Sequence, residues 1–219
     1  MLTTRTARWT LALLAVVAAL IAGLVVAMRD AAQTPAPTTS GVAREHRDAD
    51  TAAALAGPRQ RADLAPCPRH GGQPGPAALR GVTVDCAADG SVVEVGPALA
   101  GHRVMLNLWA YWCAPCAAEL PAMAEYQRRV GSDVMVVTVH QDENEEAALL
   151  RLAELGVRLP TLQDGGRRIA AALRVPNVMP ATVVLDSDGS VAETLPRAFA
   201  TADEIADAVG RLDARRGHR

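Results

Sequence analysis

The stretch WAYWCAPCAAELP, from Trp109 to Pro121, carries two cysteines with two residues between them. It follows RVMLNL (residues 103–108), and the run that ends at Trp109 is nearly all apolar, which is typical of a strand buried on both faces of a sheet. Apolar side chains then recur at helical spacing from Pro115 to Arg129. The sequence therefore predicts a buried strand, a turn that carries Cys113, and a helix that begins near Pro115.

Two cysteines at this spacing serve in thiol–disulfide exchange, in half of a metal site, or in a disulfide that only staples a loop. Cys113 would lie at the N-terminus of the predicted helix, where free amide groups and the helix dipole stabilise a thiolate and lower the pKa of the thiol. Cys116 would lie one turn into the helix, shielded but within bonding distance. This placement favours exchange through a mixed disulfide, in which Cys113 attacks and Cys116 resolves. A structural staple needs no such placement.

The N-terminus predicts an exported protein held by a membrane segment. Leu11–Met28 is a run of 18 residues without a charge, and Arg5 and Arg8 precede it. Such a length reaches across a thin hydrocarbon core, and the basic residues favour a cytoplasmic N-terminus. We expect an uncleaved signal anchor over residues 1–29, a single pass through the cell membrane and an extracytoplasmic remainder. A cleaved signal peptide is the alternative.

Composition divides the exported part into a linker and one domain. Residues 30–62 are rich in Ala, Pro and Thr and have few large apolar side chains, which predicts a flexible linker. Residues 63–219 show a globular pattern with the order β-β, β-α-β-α, then β-β-α. This order predicts an α/β fold with a mixed central sheet, helices on both faces and an N-terminal β-hairpin extension. Strands are expected at 82–86, 91–95, 103–109 and 133–140 and in a hairpin within 181–195, and helices at 115–129, 145–155, 167–173 and from Thr201 onwards.

Other features argue against several functions. The formal net charge of −2 gives no electrostatic basis for binding nucleic acid. Cys67 and His70 form a C-x-x-H pair and Cys86 is a further thiol, but an oxidising compartment favours disulfides over zinc. His70, His102 and His140 are isolated in the sequence and are expected on the surface or in loops. We therefore predict no metal site and no diffusible cofactor.

Four features surround the cysteine pair: WCAPC at residues 112–116, the following Glu119–Pro121, a polar Asn107 in the buried strand, and NVMPATVVLD at residues 177–186. Together they resemble the thioredoxin superfamily, and more closely its membrane-anchored, extracytoplasmic TlpA/ResA-like branch. In that branch the active site reads W-C-x-P-C, an E-x-P follows it, Asn replaces the buried Asp of cytoplasmic thioredoxins, and a cis-proline opens a strand. The resemblance covers roughly residues 80 to 210 and implies a thioredoxin-like fold.

The resemblance assigns roles to the residues near the cysteines. Cys113 would be the attacking thiol and Cys116 the resolving thiol, as their placement also favours. Glu119 lies one helical turn past Cys116, and if buried it would have a raised pKa and move a proton during exchange. A solvated helix residue is the alternative for Glu119. Trp112 is expected to flank the site and to contact the substrate.

The resemblance also bears on residues that lie far from the motif in the sequence. Met179-Pro180 is expected to have a cis peptide bond that presents the Met179 backbone to an extended substrate, and an ordinary trans proline is the alternative. Cys67 and Cys86 match nothing in the family motif and are expected to form a structural disulfide that stabilises the fold by about 3 kcal/mol. A second redox pair that relays electrons is the alternative to that structural role.

These expectations combine into an extracytoplasmic thiol–disulfide oxidoreductase tethered to the membrane. Its partners would be cysteine-containing exported proteins, such as apocytochrome c during cytochrome c maturation, together with a membrane electron donor. Members of the branch usually reduce their partners, so the dithiol of Cys113 and Cys116 is expected to act as a reductase. A general disulfide oxidase of exported proteins and a non-enzymatic binding module with a structural CAPC disulfide are the two alternatives.

Overall fold

The computed structural model describes residues 50–70, 72 and 75–217. The predicted membrane anchor over residues 1–29 and most of the predicted linker lie outside these residues. Within the described chain, no helix combines the length and the apolar character that crossing a membrane requires.

Seven strands form one mixed sheet within the described residues: β1 (Thr83–Cys86), β2 (Val92–Glu94), β3 (Val104–Trp109), β4 (Met135–His140), β5 (Thr161–Gln163), β6 (Ala181–Leu185) and β7 (Val191–Leu195). Their order across the sheet is β2-β1-β5-β4-β3-β6-β7. β4 pairs in parallel with both β3 and β5, and the remaining pairs are antiparallel. The predicted α/β fold with a mixed central sheet is confirmed.

The described helices flank this sheet: α1 (Ala52–Ala62), α2 (Val95–Ala98), α3 (Ala114–Val130), α4 (Glu145–Leu155), α5 (Arg168–Ala172), α6 (Ala202–Gly217) and a 3-10 turn (Ala77–Leu79). Successive residues of β3 point to opposite faces of the sheet, as a pleated strand requires. Met105 and Trp109 pack in the apolar cluster that includes α3, α4 and α6, whereas Leu106 and Leu108 pack in the cluster that includes α2 and α5. Helices therefore cover both faces.

Polar side chains and a glycine define the ends of helices α4 and α6, and the predicted hairpins are formed. Oδ1 of Asn144 accepts a hydrogen bond from the backbone N–H of Ala147 at 3.0 Å and begins α4. Gly156 ends that helix in the left-handed region, with φ of 64°. Thr201 accepts from the N–H of Glu204 at 3.2 Å and begins α6. Both predicted hairpins, β1–β2 and β6–β7, are present.

One strand was not predicted. β5 has only three residues, too few for a periodic pattern, and it follows Pro160 directly. It pairs with β4 on one side and with β1 on the other, so it joins the N-terminal hairpin to the central sheet. The hairpin that composition indicated as an extension is therefore part of the same seven-stranded sheet.

The structure differs from the predicted linker over residues 52–62, which form α1. The side-chain oxygen of Thr51 accepts from the N–H of Ala54 at 3.3 Å and begins this helix. Leu55 is buried in a small cluster with Leu149 of α4. Arg59 donates to Oε1 of Glu145 at 2.9 Å and to the carbonyl of Ala87 at 3.2 Å. A few specific contacts with the domain thus stabilise a segment whose own composition cannot form a core.

Candidate active site

Cys113 and Cys116 form a disulfide at the N-terminus of α3. The chain leaves β3 at Trp109, and Cys113 is the N-cap residue of the helix. Its sulfur accepts a hydrogen bond from the backbone N–H of Cys116 at 3.3 Å, and so supplies an acceptor to one of the first N–H groups of the helix, which have none within the helix. Cys113 is 6% exposed and Cys116 is fully buried, so an incoming group can reach only Cys113.

Glu119 lies fully buried on α3, one turn past Cys116. Its Oε2 accepts from the side-chain amide of Asn107 at 2.8 Å, and its Oε1 accepts from the backbone N–H of Phe199 at 3.1 Å. Burial raises the pKa of Glu119 to about 7, although both hydrogen bonds favour the carboxylate and lower it. Glu119 is therefore buried, as its expected role in proton transfer requires, and is not a solvated helix residue.

Phe199 was not identified from the sequence. It lies between β7 and α6, its ring is buried, and the guanidinium of Arg197 stacks over that ring at 4.2 Å from the centroid. Its contribution to the site is a backbone N–H, a group that every residue except proline carries. No sequence signal could therefore have indicated this contact with Glu119.

Trp112 and the Met179-Pro180 pair lie at the same end of the sheet as the disulfide. The indole of Trp112 is 59% exposed, and its Nε1 donates to Oδ2 of Asp142 at 2.9 Å. The Met179-Pro180 peptide bond is cis. Met179 is partly buried and packs against the apolar cluster that contains Cys113 and Cys116. The structure thus brings these residues together, and their contact with substrate stays a prediction.

His140 is not the surface or loop residue that the sequence predicted. It is the last residue of β4 and is fully buried, with its ring 4.9 Å from the ring of Trp109. Its Nε2 accepts from the backbone N–H of Tyr111 at 3.3 Å, and its Nδ1 lies 2.8 Å from Oε1 of Gln163. Burial lowers the pKa of His140. The run DVMVVTVH carried the signal, because a residue that ends a strand buried on both faces is itself buried.

Cys67 and Cys86 form the predicted disulfide. Both lie in the apolar cluster on the opposite face of the sheet from the cluster that contains Cys113. Cys86 ends β1, and Cys67 lies in the segment that follows α1, so the bond joins that segment to the sheet. His70 and His102 are exposed, as predicted. Among the described residues, no three His, Cys, Asp or Glu side chains lie close enough together to hold a metal ion.

Sequence comparisons identify a family and several relatives of this chain. The Redoxin family model matches residues 71–209. The thiol-disulfide oxidoreductase ResA of Bacillus anthracis is 32% identical over 98 residues, which are 44% of this chain and 56% of that protein. The ResA of Bacillus subtilis is also 32% identical over 98 residues, which are 44% of this chain and 54% of that protein. The chain thus spans about half the length of the curated relatives it matches.

Solved structures share the fold. A secreted thiol-disulfide isomerase from Corynebacterium glutamicum superposes with a TM-score of 0.51 at 26% identity, over 60% of this chain and 82% of that one. A secreted disulfide oxidoreductase of Mycobacterium tuberculosis, homologous to DsbE of E. coli, gives a TM-score of 0.52 at 24% identity, over 63% of this chain and 97% of that one. Both have the thioredoxin-like architecture built here around β3 and α3. The chain therefore belongs to the Redoxin family, has a thioredoxin-like fold and is similar to the ResA proteins.

Proposed function

We propose that this chain is a thiol–disulfide oxidoreductase that exchanges electrons between its Cys113–Cys116 pair and disulfides of partner proteins. The observation that supports it most directly is the geometry of that pair at the N-terminus of α3. Cys113 keeps 6% of its surface exposed, whereas Cys116 is fully buried. A disulfide that only stapled the turn would need neither this difference in exposure nor a helix N-terminus to stabilise a thiolate.

In the reducing direction, the thiolate of Cys113 attacks a substrate disulfide and forms a mixed disulfide, and one substrate thiolate leaves. The thiolate of Cys116 then attacks the sulfur of Cys113 and displaces the second substrate thiolate. Two electrons have passed to the substrate, and Cys113 and Cys116 are joined in a disulfide. The two protons of the original dithiol end on the departing thiolates or in solvent, and that of Cys116 passes through a nearby base. A second dithiol protein must reduce the pair before the next cycle.

Glu119 is the proposed proton acceptor for the buried thiol. Cys116 is shielded from water, so its proton needs a nearby base when the sulfur becomes a nucleophile. A carboxyl group whose pKa is about 7 is divided between its two protonation states near neutral pH. Glu119 can therefore take a proton in the reducing direction and return it in the other.

Substrate contacts are assigned to the exposed rim of the site. The indole of Trp112 offers a large apolar surface beside Cys113, and the hydrogen bond to Asp142 fixes its orientation. The backbone of Met179 would pair with an extended substrate segment. Substrates of this kind are cysteine-containing proteins in an extended conformation.

The proposed location is the extracytoplasmic side of the cell membrane, with Leu11–Met28 as a single-pass anchor. The apolar run and the basic residues before it support this assignment, as does the Cys67–Cys86 disulfide, because such bonds persist outside the cytoplasm. There the chain would reduce exported proteins such as apocytochrome c and receive electrons from a membrane dithiol protein.

A trapping experiment tests the activity and names the partners. The Cys116→Ser variant can form a mixed disulfide through Cys113 but cannot resolve it, so it should accumulate covalent complexes that a reductant releases. The matched control is Cys113→Ser, which retains only the buried thiol and should trap nothing. An empty trap in both variants would contradict the proposed function and favour a structural CAPC disulfide.

The direction of transfer needs a second measurement. The reduction potential of the pair, taken by equilibration with glutathione, places the chain at the reducing or the oxidising end of the thioredoxin range. A potential near that of thioredoxin supports the reductase, whereas one near that of the strong oxidant DsbA supports the general oxidase. The in vivo redox state of Cys113, read by alkylation, checks the same point independently.

A further inference from the structure

We propose that His140 is a positioning residue for the reactive cysteine, because its neutral imidazole holds the backbone of Tyr111 and thereby fixes the turn that presents Cys113. The expected effect on the reactivity of Cys113 rests on the proposed function. The tautomer and the hydrogen bonds of His140 do not depend on it. His140 lies at the end of β4, next to the end of β3, where the chain turns towards α3. Its two hydrogen bonds go to Tyr111 and Gln163 and not to either cysteine.

The hydrogen bonds on the two sides of the imidazole independently require the same tautomer. On one side, the backbone N–H of Tyr111 can only donate, so Nε2 of His140 must carry a lone pair. On the other side, Nε2 of Gln163 donates to the carbonyl of Asp142 at 2.7 Å, which leaves Oε1 of Gln163 facing His140. That oxygen can only accept, so Nδ1 of His140 must carry the proton.

A protonated imidazole does not fit this chain of bonds. It would place an N–H at Nε2, directly against the N–H of Tyr111, and the hydrogen bond between them would be lost. The strand on which Gln163 lies contributes only a neutral amide at this point. The charged groups that act on His140 are Asp142, which follows β4, and Asp50, which precedes α1, and both favour the imidazolium. Tyr111 adds a phenol ring 6.1 Å from the imidazole. Burial outweighs these effects and favours the neutral ring.

The turn before Cys113 is thus held at two consecutive residues from the same side. His140 holds the backbone of Tyr111, and Asp142 holds the side chain of Trp112. Gln163 contacts both anchors, since it accepts from His140 and donates to the backbone of Asp142. The backbone N–H of Cys113 in turn donates to the carbonyl of Ala110 at 3.0 Å, which closes the turn. Loss of the Tyr111 anchor therefore changes how often Cys113 adopts the geometry required for attack.

The test uses the full-length chain in detergent and begins with the oxidised protein. Long-range ¹H–¹⁵N spectra of the imidazole should show His140 with its proton on Nδ1. His140→Phe retains an aromatic ring against Trp109 but removes both hydrogen bonds. We expect the protection factor of the Tyr111 amide against hydrogen exchange to fall about tenfold, the scale of one lost hydrogen bond, and the attack rate of Cys113 on a disulfide to fall severalfold. The control His102→Phe alters an exposed histidine and should leave both values unchanged.

A second variant keeps the inference testable if His140→Phe does not fold. Gln163→Glu places a carboxylate against Nδ1, which stabilises the imidazolium, so protection of the Tyr111 amide should be lost at a higher pH than in the unmodified chain. His140→Gln retains an acceptor and should restore part of the protection. A proton on Nε2, or His140→Phe with unchanged Tyr111 protection and Cys113 rate, overturns the proposal. A chain that does not attack protein disulfides at all contradicts the proposed function alone, because tautomer and protection are read without substrate.

Discussion

The side-chain amide of Asn107 donates a 2.8 Å hydrogen bond to Oε2 of Glu119, and both side chains are fully buried between β3 and α3. Oδ1 of Asn107 has no hydrogen-bond partner among the described residues. A rotation of the amide by half a turn would direct this oxygen towards Glu119, where it could accept a hydrogen bond from the protonated carboxylic acid. Asn107 therefore offers a partner to both protonation states of Glu119, whereas an ionised aspartate at this position has no donor for the carboxylate.

Glu119→Gln should change how the stability of the oxidised chain depends on pH. The pKa of Glu119 is raised from 4.5 to about 7, so the folded chain takes up a proton that the unfolded chain has released. The stability present below pH 4.5 is therefore lost as the pH rises to about 7, by about 3 kcal/mol in total. Relative to the unmodified chain, Glu119→Gln should gain this amount between pH 4.5 and 7.5 in urea titrations.

The control for this measurement is Glu143→Gln, which removes an exposed carboxylate near the same end of the sheet. The glutamine at 119 also sets an NH₂ group against a donor, either that of Asn107 or that of Phe199, and this cost is independent of pH. Only the change with pH of the difference in unfolding free energy between the variant and the unmodified chain tests the raised pKa of Glu119. Parallel stability curves for the Glu119→Gln variant and the unmodified chain would contradict it.

Asn107→Leu should raise the pKa of Glu119 further. The amide is the largest of the contributions that lower this pKa, and leucine offers similar volume without a donor. The carboxyl resonance of Glu119, followed by ¹³C NMR in the oxidised chain, should titrate at a higher pH than in the unmodified protein. The rate of exchange at pH 7 should fall as the carboxylate fraction falls. A Glu119 resonance that titrates at an unchanged pH would show that the contact does not stabilise the anion.

The buried strand, the turn and helix α3 were predictable because each has a local signal: apolar continuity, a proline near the helix start, and helical periodicity. Helix α1 was not, since its stability comes from contacts such as that of Arg59 with Glu145, 86 residues away. The donation from Phe199 to Glu119 spans 80 residues and uses a backbone group, so no residue type marks it. His140 was missed because its isolation in the sequence hid its position at the end of a buried strand.

Trp112→Ala should separate substrate recognition from chemistry. The indole is mostly exposed, so its removal should change the free energy of unfolding by less than about 1 kcal/mol. The KM for a protein disulfide should rise about tenfold, as for an aromatic anchor residue, while the rate with glutathione disulfide should stay the same. Asp142→Asn retains an acceptor oxygen for the indole and should have a smaller effect. Equal losses of activity with both substrates would indicate that Trp112 maintains the geometry of Cys113 and does not bind the protein substrate.

Removal of the second disulfide should lower stability without slowing exchange. The Cys67→Ala/Cys86→Ala double variant opens a loop between residues separated by 19 positions, and loop closure predicts a loss of about 3 kcal/mol in urea unfolding. Cys67 and Cys86 pack on the face of the sheet opposite to Cys113, so the rate of attack by Cys113 should remain within about twofold, the range of a remote change. Reduction of the same variant by its dithiol donor separates a structural role of this disulfide from a role as an electron relay. A variant that stays stable but can no longer be reduced by its dithiol donor would identify Cys67 and Cys86 as a redox pair, because a staple carries no electrons.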